Sequence, residues 1–431
     1  MTAAPTETSR PTTTATEAAD ARDPRAWGTG AAAAAPRPGP IVIATVNRPR
    51  GDTGVHTHTA MLRAGIEARG LPCALVTPFE ACRVWSGVFA VRHVVLKRLN
   101  PSWSTRWYRH WHTRALYAAL RRVLLPAPPA AVIAQCPLSA GAALEVRAEL
   151  GGDWPIAMVC HFNHGEATEF REKGELGDDR TFAAIEAFEA HVLAAVDRVV
   201  FVSDWSRRDV ESRGIRPRAS SVIWNGIGDA PPAGATRAAL GLADDDVVLV
   251  NVGTLEPRKD QVGLVRLFAR LAPRHPRARL VLVGEGPDRG AIQRLVAQHD
   301  LADRVRLLGR RRDVPALLQA ADVYVHHAAL ENCPVSLIEA ARAALPFAAI
   351  PAGGIPELQA SLGSGVALAP DDVEASAAAL EPLLADAALR RALGRRGRAA
   401  FESHFTRDAM TAAYLEALGI APPARQGGTD G

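Results

Sequence analysis

Two glutamates, Glu331 and Glu339, stand eight positions apart in the run ENCPVSLIE, with a proline between them and helix-forming residues behind it. Ionised carboxylates only accept hydrogen bonds, so two that converge on one ligand suit a molecule dense in hydroxyls, above all a sugar. The stretch LIEAARAA, Leu337 to Ala344, is good helix material. Pro334 falls where a first helical position would lie, with Asn332 or Cys333 as the cap. Such a helix start presents unpaired N–H groups and a positive dipole end, which suit an anion such as a diphosphate. Glu331 would precede the helix and Glu339 would lie about one and a half turns inside it. By spacing alone the pair reads equally well as two solvated surface residues.

Holding these residues in place requires a scaffold whose loops meet, and the chain carries the pattern of one. From Pro40 onward, short runs rich in Val, Ile and Leu alternate with amphipathic stretches: IVIATV (41–46), AVIAQC (131–136), IAMVCHF (156–162) and RVVFVS (198–203). Strands buried on both faces and joined by crossover helices read this way, so an α/β fold with a parallel sheet is expected. Two prolines and small residues interrupt the alternation at DAPPAGAT (229–236), and a second series starts at DVVLVNVG (246–253). We expect a disordered tail over 1–39, a first domain over 40–228, a second over 229–420 and a short tail over 421–431. The strand ends of two such sheets would face one another across a cleft.

Composition narrows the class. Lys and Arg total 50 against 46 for Asp and Glu, a formal charge of +4 in 431 residues, which names no partner. The five cysteines, Cys73, Cys82, Cys136, Cys160 and Cys333, are odd in number and form no C-x-x-C pair. That speaks against a disulfide framework or structural zinc and fits a reducing cytosol. No apolar run approaches the roughly 20 residues of a membrane helix.

Further runs carry a family resemblance: NVGTLEPRKD (251–260), VGEGPDRGAIQRLV (283–296), RVRLLGRRRDVPALLQAADVYV (304–325), DRVVFVSDWSRRDV (197–210) with VIWNGI (222–227), and AARAALPFAAIPAGGIPEL (340–358). With the two glutamates, they resemble the family 4 glycosyltransferases, retaining enzymes of GT-B architecture that use nucleotide-sugar donors, from Ile41 to about Leu418. The resemblance implies two Rossmann-like domains, with the last helix, near TRDAMTAAYLEAL, crossing back to the first. It implies that Glu331 contacts the donor sugar, Glu339 the ribose and Lys259 the diphosphate. Asn332, Cys333, Pro334, Val335 and Ser336 would form the phosphate cradle. Thr254 stands where many members have arginine, and Arg258 is the substitute; Pro334 replaces a usual glycine and removes one N–H from the cradle. Arg311, in GRRRD (309–313), would border the nucleobase.

On the first domain, RPRGDTGVHTH (48–58) reads either as an ordinary strand-to-helix turn or, by the resemblance, as the loop below the donor phosphate, with Gly54 permitting close approach. His161 matches the family's strand-end histidine near the donor sugar. His56, His58 and His164 are lesser, acceptor-side candidates. Between Glu80 and Glu145 no acidic residue occurs, while nine arginines and lysines, Arg83 to Arg122, interleave with Trp85, Trp103, Trp107, Tyr108, Trp111 and Tyr117. This segment, with Arg106 and Trp107 at its centre, suits an anionic membrane surface, an acceptor bearing acid groups, or a plain solvated helix over packed tryptophans. Single-stranded nucleic acid is disfavoured for want of any accompanying module.

The resulting expectation is transfer of a hexosyl unit from a UDP-, GDP- or ADP-sugar to an acceptor hydroxyl with retention, in bacterial polysaccharide or glycolipid synthesis. No permanent cofactor is expected, and the lack of a D-x-D motif in a strand-end context points to metal independence. The acceptor would be a glycan, a lipid-linked glycan or a small molecule, and the setting cytoplasmic, with peripheral attachment to the inner membrane face a further expectation. Rival readings are a GT-B phosphorylase or epimerase, and a non-catalytic nucleotide-binding partner.

Overall fold

Burial of the strands on both faces explains the two sheets. The computed structural model describes residues 39–51, 53–80, 88, 92, 96–229 and 237–421; the expectations placed on residues 1–38, 230–236 and 422–431, and on Cys82, Arg83 and Trp85, lie outside them. The first sheet comprises β1 (Ile41–Ala44), β2 (Cys73–Val76), β3 (Ala131–Ala134), β4 (Ile156–Cys160), β5 (Arg198–Phe201) and β6 (Ser220–Val222) in the order β2-β1-β3-β4-β5-β6. The second comprises β7 (Val247–Val252), β8 (Ala278–Val283), β9 (Val305–Leu307), β10 (Val323–His326), β11 (Phe347–Ala349) and β12 (Gly365–Ala367) in the order β12-β11-β10-β7-β8-β9. All neighbouring strands run parallel. The central strands β1, β3 and β4 are buried at every position because helices cover both faces, which is why they read as unbroken apolar runs.

The helices that bear on the site are α1 (Gly54–Glu67), α2 (Pro101–Leu124), α3 (Pro137–Glu149), α4 (Asp179–Ala195), α5 (Asp204–Ser212), α6 (Gln261–Leu271), α7 (Val335–Arg342), α8 (Ile355–Leu362) and α9 (Arg407–Ala417). One apolar cluster runs without a break from Ile43 and Val200 of the first sheet, through Met410 and Tyr414 of α9, to Leu337 and Tyr324 of the second half. The helix α9 therefore belongs, by packing, to both halves. Its start is tied to the connecting strand by paired backbone bonds, Ile227 N–H to the Phe405 carbonyl (3.0 Å) and Arg407 N–H to that of Ile227 (2.8 Å).

Close packing of α9 on α1 depends on one glycine. A Cβ on Gly65 would fall 2.0 Å from the Thr411 hydroxyl, too near for any side chain. Gly65→Val is expected to destabilise the protein by about 1–3 kcal/mol through overpacking. Urea unfolding checks this; an unchanged midpoint would show that the two helices separate freely.

Candidate active site

The loop after β10 turns into α7 and carries most of the expected donor residues. Pro334 is the N-cap, one position earlier than its residue type suggested, with φ −67° and ψ 114°, and no side chain caps the helix. Proline holds that φ in extended backbone as readily as in a helix, so it serves the boundary itself. The N–H groups of Val335 and Ser336 begin the helix without intrahelical partners. Glu331 is fixed just before it: its backbone bridges to Gly353, and its carbonyl accepts from the Gly354 N–H at 2.9 Å. A Cβ on Gly354 would lie 1.9 Å from the Asn332 carbonyl oxygen, and Gly353 has φ +65°. The paired glycines of PAGGIPE thus permit a backbone approach that other residues would block.

The Glu331 side chain is 14% exposed, with Oε1 2.5 Å from Lys259 Nζ and 3.9 Å from the Arg258 guanidinium. Burial pushes its pKa up, but Lys259, His326 and Arg258 outweigh burial and hold the carboxyl below its ordinary value. The expected sugar ligand and phosphate lysine are thus brought together and bonded to one another. Lys259 ends a short turn, and the next residue, Asp260, has φ 45°, a left-handed conformation that aspartate tolerates better than most. The Asp260 carboxylate accepts from the Gly263 N–H at 2.9 Å, capping α6, and bonds His327 Nδ1 at 2.9 Å. These bonds anchor the turn that presents Lys259.

Glu339 is partly buried one turn into α7, and its carboxylate makes no hydrogen bond among the described residues. Burial raises its pKa, against the pull of Arg342. Tyr324 lies beneath this helix start, its hydroxyl donating to the Val252 carbonyl (3.2 Å), within reach of Ser336 and of both carboxylates.

Across the cleft, α1 begins at Gly54, and Thr53 engages His56 Nδ1 (2.7 Å) instead of capping the helix. A Cβ on Gly54 would stand 3.7 Å from Val335. Two helix starts, neither capped by a side chain, therefore oppose one another, and their dipoles add positive potential in one space. The halves are also bonded directly. Ser203 donates to Asn332 Oδ1, Asn332 Nδ2 donates to the Phe162 carbonyl (3.1 Å), and Glu357 of α8 accepts from the Asp204 N–H (2.8 Å) and Arg208 (2.7 Å) of α5.

Sequence comparison decides what this cleft belongs to. A profile described as "Glycosyl transferases group 1" matches residues 234–400, and one described as "Glycosyltransferase Family 4" matches residues 53–230. The chain belongs to the family 4 glycosyltransferases. It is 29% identical over 217 residues to a lipopolysaccharide core biosynthesis glycosyltransferase of Rhizobium meliloti, covering 48% of this chain and 63% of that one. It is 33% identical over 268 residues to a D-inositol 3-phosphate glycosyltransferase of Kineococcus radiotolerans, covering 56% and 61%. The alignments thus span somewhat under two thirds of these relatives. The crystal structure of the Anabaena protein HepE in complex with UDP superposes with a TM-score of 0.66 at 18% identity, over 88% of this chain and 99% of that one. This is the GT-B fold.

The remaining expected residues divide. His161, at the end of β4, has Nε2 2.9 Å from Gln135 Oε1 and meets His58 edge-on at 4.8 Å. Burial and the proximity of His58 depress its pKa well below the ordinary value. His58 is only 1% exposed and is not available to an acceptor. It is a relay: the Tyr414 hydroxyl contacts its Nε2 (3.3 Å), its Nδ1 contacts Asn225 Oδ1 (2.9 Å), and Asn225 Nδ2 donates to the Cys333 carbonyl (2.9 Å). That relay places Cys333 and Asn332 from the far side; burial pushes the Cys333 thiol up to about 12, which makes it inert packing. His164 is exposed and bonded to Asp209 (2.8 Å). Arg311 is bonded to its own neighbour Asp313 (2.8 and 2.6 Å), and Thr254 is exposed, its carbonyl accepting from Gln261 Nε2 (3.0 Å).

The basic segment is not a continuous basic face. Glutamates from other elements neutralise it: Glu175 with Arg92, Glu166 with Arg109, and Glu145 and Glu149 of α3 with Arg114 and Arg121. Trp107 donates to the Val88 carbonyl (2.9 Å) and packs on Trp111. Arg106 remains exposed beside a groove of about 520 Å³ between α2 and α4, lined also by Arg180 and Phe188. Among the described residues no helix is long and apolar enough to cross a membrane, and no cluster of three or more His, Cys, Asp or Glu is placed to hold a metal ion. Sequence reading missed Asp260, Asn225, Gln135 and His326; Asp260, directly after the lysine, had the clearest signal as an Asp three positions before Gly263 in a helix start.

Two outcomes follow from the charges. Lys259→Ala leaves Glu331 a largely buried charge without its main partner and is expected to lower stability by about 2 kcal/mol at pH 7. Lys259→Met with Glu331→Leu should recover most of that loss in urea unfolding; a double variant as unstable as the single one would refute the pairing. Burial holds His58 down at about 4 against an ordinary 6.5. The unfolded chain therefore binds this proton at higher pH than the folded one, so stability rises with pH from about 4 to 6.5 and is fully present above that. Melting temperature measured across that window should climb, and His58→Gln should flatten the slope.

Proposed function

We propose that the protein transfers a sugar from a nucleoside diphosphate sugar to an acceptor hydroxyl with retention of anomeric configuration. The observation that carries this is the meeting of Lys259, Glu331 and two opposed, uncapped helix starts in one cleft. Such a site is built for a ligand with an anionic middle and a hydroxyl-rich end. The structural neighbour HepE was crystallised with UDP, which supports a nucleotide donor.

On this reading the diphosphate lies between the starts of α1 and α7, where Lys259, Arg258 and the N–H groups of Val335 and Ser336 stabilise the charge that develops as it departs. Fixed donors do this without reorganising at the moment of reaction. Glu331 accepts hydrogen bonds from the sugar, and Glu339, whose carboxylate makes no hydrogen bond among the described residues, from the ribose. The leaving diphosphate itself assists the acceptor hydroxyl on the same face, which gives retention without a protein nucleophile. His161 and Gln135 border the sugar from the first half. The acceptor enters on the side of His56, which lines a pocket of about 180 Å³ with Asn47, Arg48 and Arg63. Glu67 also lines this pocket and is bonded to Arg63 (2.8 Å), which leaves Arg48 as the group that favours an acceptor carrying an acid or phosphate group. The curated relatives include enzymes of lipopolysaccharide core and inositol phosphate glycosylation by name, which supports a glycolipid or small phosphorylated acceptor.

Nucleotide release from a panel of UDP-, GDP- and ADP-sugars, with and without glycan and polyol phosphate acceptors, tests the reading. Release should depend on acceptor, and Glu331→Ala and Lys259→Ala should each lower turnover on the order of 10²-fold to 10³-fold. Variants as active as the wild type would remove the proposed roles, and release without acceptor would favour another reaction. The anomeric proton coupling of the product reports retention.

A further inference from the structure

His326 closes β10 with its side chain 2% exposed. The ring lies nearly parallel to that of Tyr324, at 22° with centroids 6.2 Å apart. Neither ring nitrogen has a hydrogen-bond partner among the described residues. The titratable groups around it are Lys259, Glu331 and His327. Burial and the nearby Lys259 keep the ring neutral, down to about pH 4, so at pH 7 it holds one N–H and one bare nitrogen, both idle. A buried donor left without a partner costs stability. Such orphans in a native protein call for a use, since nearly all buried polar groups are paired.

Beside this ring stands an ion pair that the proposed reaction must disturb. In the free protein Lys259 is bonded to Glu331 at 2.5 Å. A bound diphosphate competes for the lysine, and each step of Lys259 toward phosphate removes charge that keeps Glu331 ionised in its nearly buried position. The carboxylate must then take up a proton, and become a weaker acceptor for sugar hydroxyls, or find another donor. His326 is that donor's obvious source. Its strand leads into the Glu331 loop, and both residues are tied to the same neighbouring segment, His326 through its carbonyl to the Ile350 N–H (3.1 Å) and Glu331 through its bridge to Gly353.

Resting on the glycosyl-transfer reading, we propose that His326 is a positioning residue that takes the Glu331 carboxylate from Lys259 when a nucleoside diphosphate binds. The orphaned ring N–H of the free protein becomes the partner of Glu331 in the complex. Glu331 stays ionised and oriented while the lysine serves the phosphate, and the energy recovered by satisfying the ring contributes to closing the site.

The full chain, labelled with ¹⁵N, tests this by the ring resonances of its histidines, with UDP, GDP and ADP as probes. One ring N–H, absent from spectra of His326→Leu, should move downfield when the wild type binds a nucleotide. The movement should disappear in Glu331→Ala at saturating nucleotide. In kinetics His326→Leu should lower kcat about tenfold with a smaller change in donor KM. The same variant should raise the melting temperature of the free protein, because the unsatisfied ring is gone, and His326→Asn, which keeps an N–H, should restore part of kcat. A His326 ring that is unmoved by a nucleotide the wild type binds overturns the proposal, as does His326→Leu with wild-type kcat. Should His326→Leu fail to fold, the wild-type resonances, traced by their response in Glu331→Ala, decide alone. A wild type that binds no nucleoside diphosphate removes the transfer reading and this one together; one that binds and turns over with the ring unmoved removes only this one.

Discussion

Glu331 is charged in a place that favours the neutral acid, and Lys259 is what keeps it so. Everything around the cleft serves that pairing or depends on it. Asp260 holds the lysine's turn from below through a left-handed backbone and a helix cap. Gly353 and Gly354 let the glutamate's loop lie against the end of β11, and Asn332 ties the same loop to the other half of the molecule. A buried pair of this kind adds little net stability, because desolvation offsets much of the attraction. Its value is that it keeps two reactive groups ordered and mutually satisfied until a ligand with better partners arrives.

The second constraint is the opposition of two helix starts. Unpaired N–H groups at a helix N-terminus normally find a side chain, yet Thr53 is engaged by His56 and Pro334 has nothing to offer. Neither end is capped by a side chain, which suits the proposed anionic ligand. Pro334 removes a donor that another residue would supply, so the proposed cradle would rely more heavily on Val335, Ser336 and the charged groups nearby. The basic side chains Arg258 and Lys259 sit on the turn where that shortfall is felt.

Much of the fold was legible because strands covered on both faces must be apolar throughout, and the chain repeats that signal twice with a Pro-rich break between. The pairing of Glu331 with Lys259 was partly legible: both residues stood out by motif, but their mutual bond depends on loops 72 residues apart. What sequence could not show was the chemistry of contact across elements. The arginines of α2 looked uncompensated because no acid lies near them in sequence; their partners sit on α3 and at the start of the helix Glu166–Glu172. His58 looked like a loop histidine, while its ring is sealed between Tyr414 and Asn225, positions 356 and 167 residues away. His326 gave only the general signal of a strand end on the ligand-binding rim, and nothing in the sequence marked its ring as buried beside Lys259 and Glu331.

The relay from Tyr414 through His58 and Asn225 to Cys333 has a meaning in the order of synthesis. The loop proposed to bind phosphate is made well before α9, yet one of its carbonyls is held by a chain of bonds that begins on α9. A ribosome that has finished the second sheet has made all of the residues in the cleft but not the strut that sets them. The proposed donor site is therefore completed by the last described helix to emerge, and on that reading a nascent chain lacks a finished place to bind and waste an activated sugar.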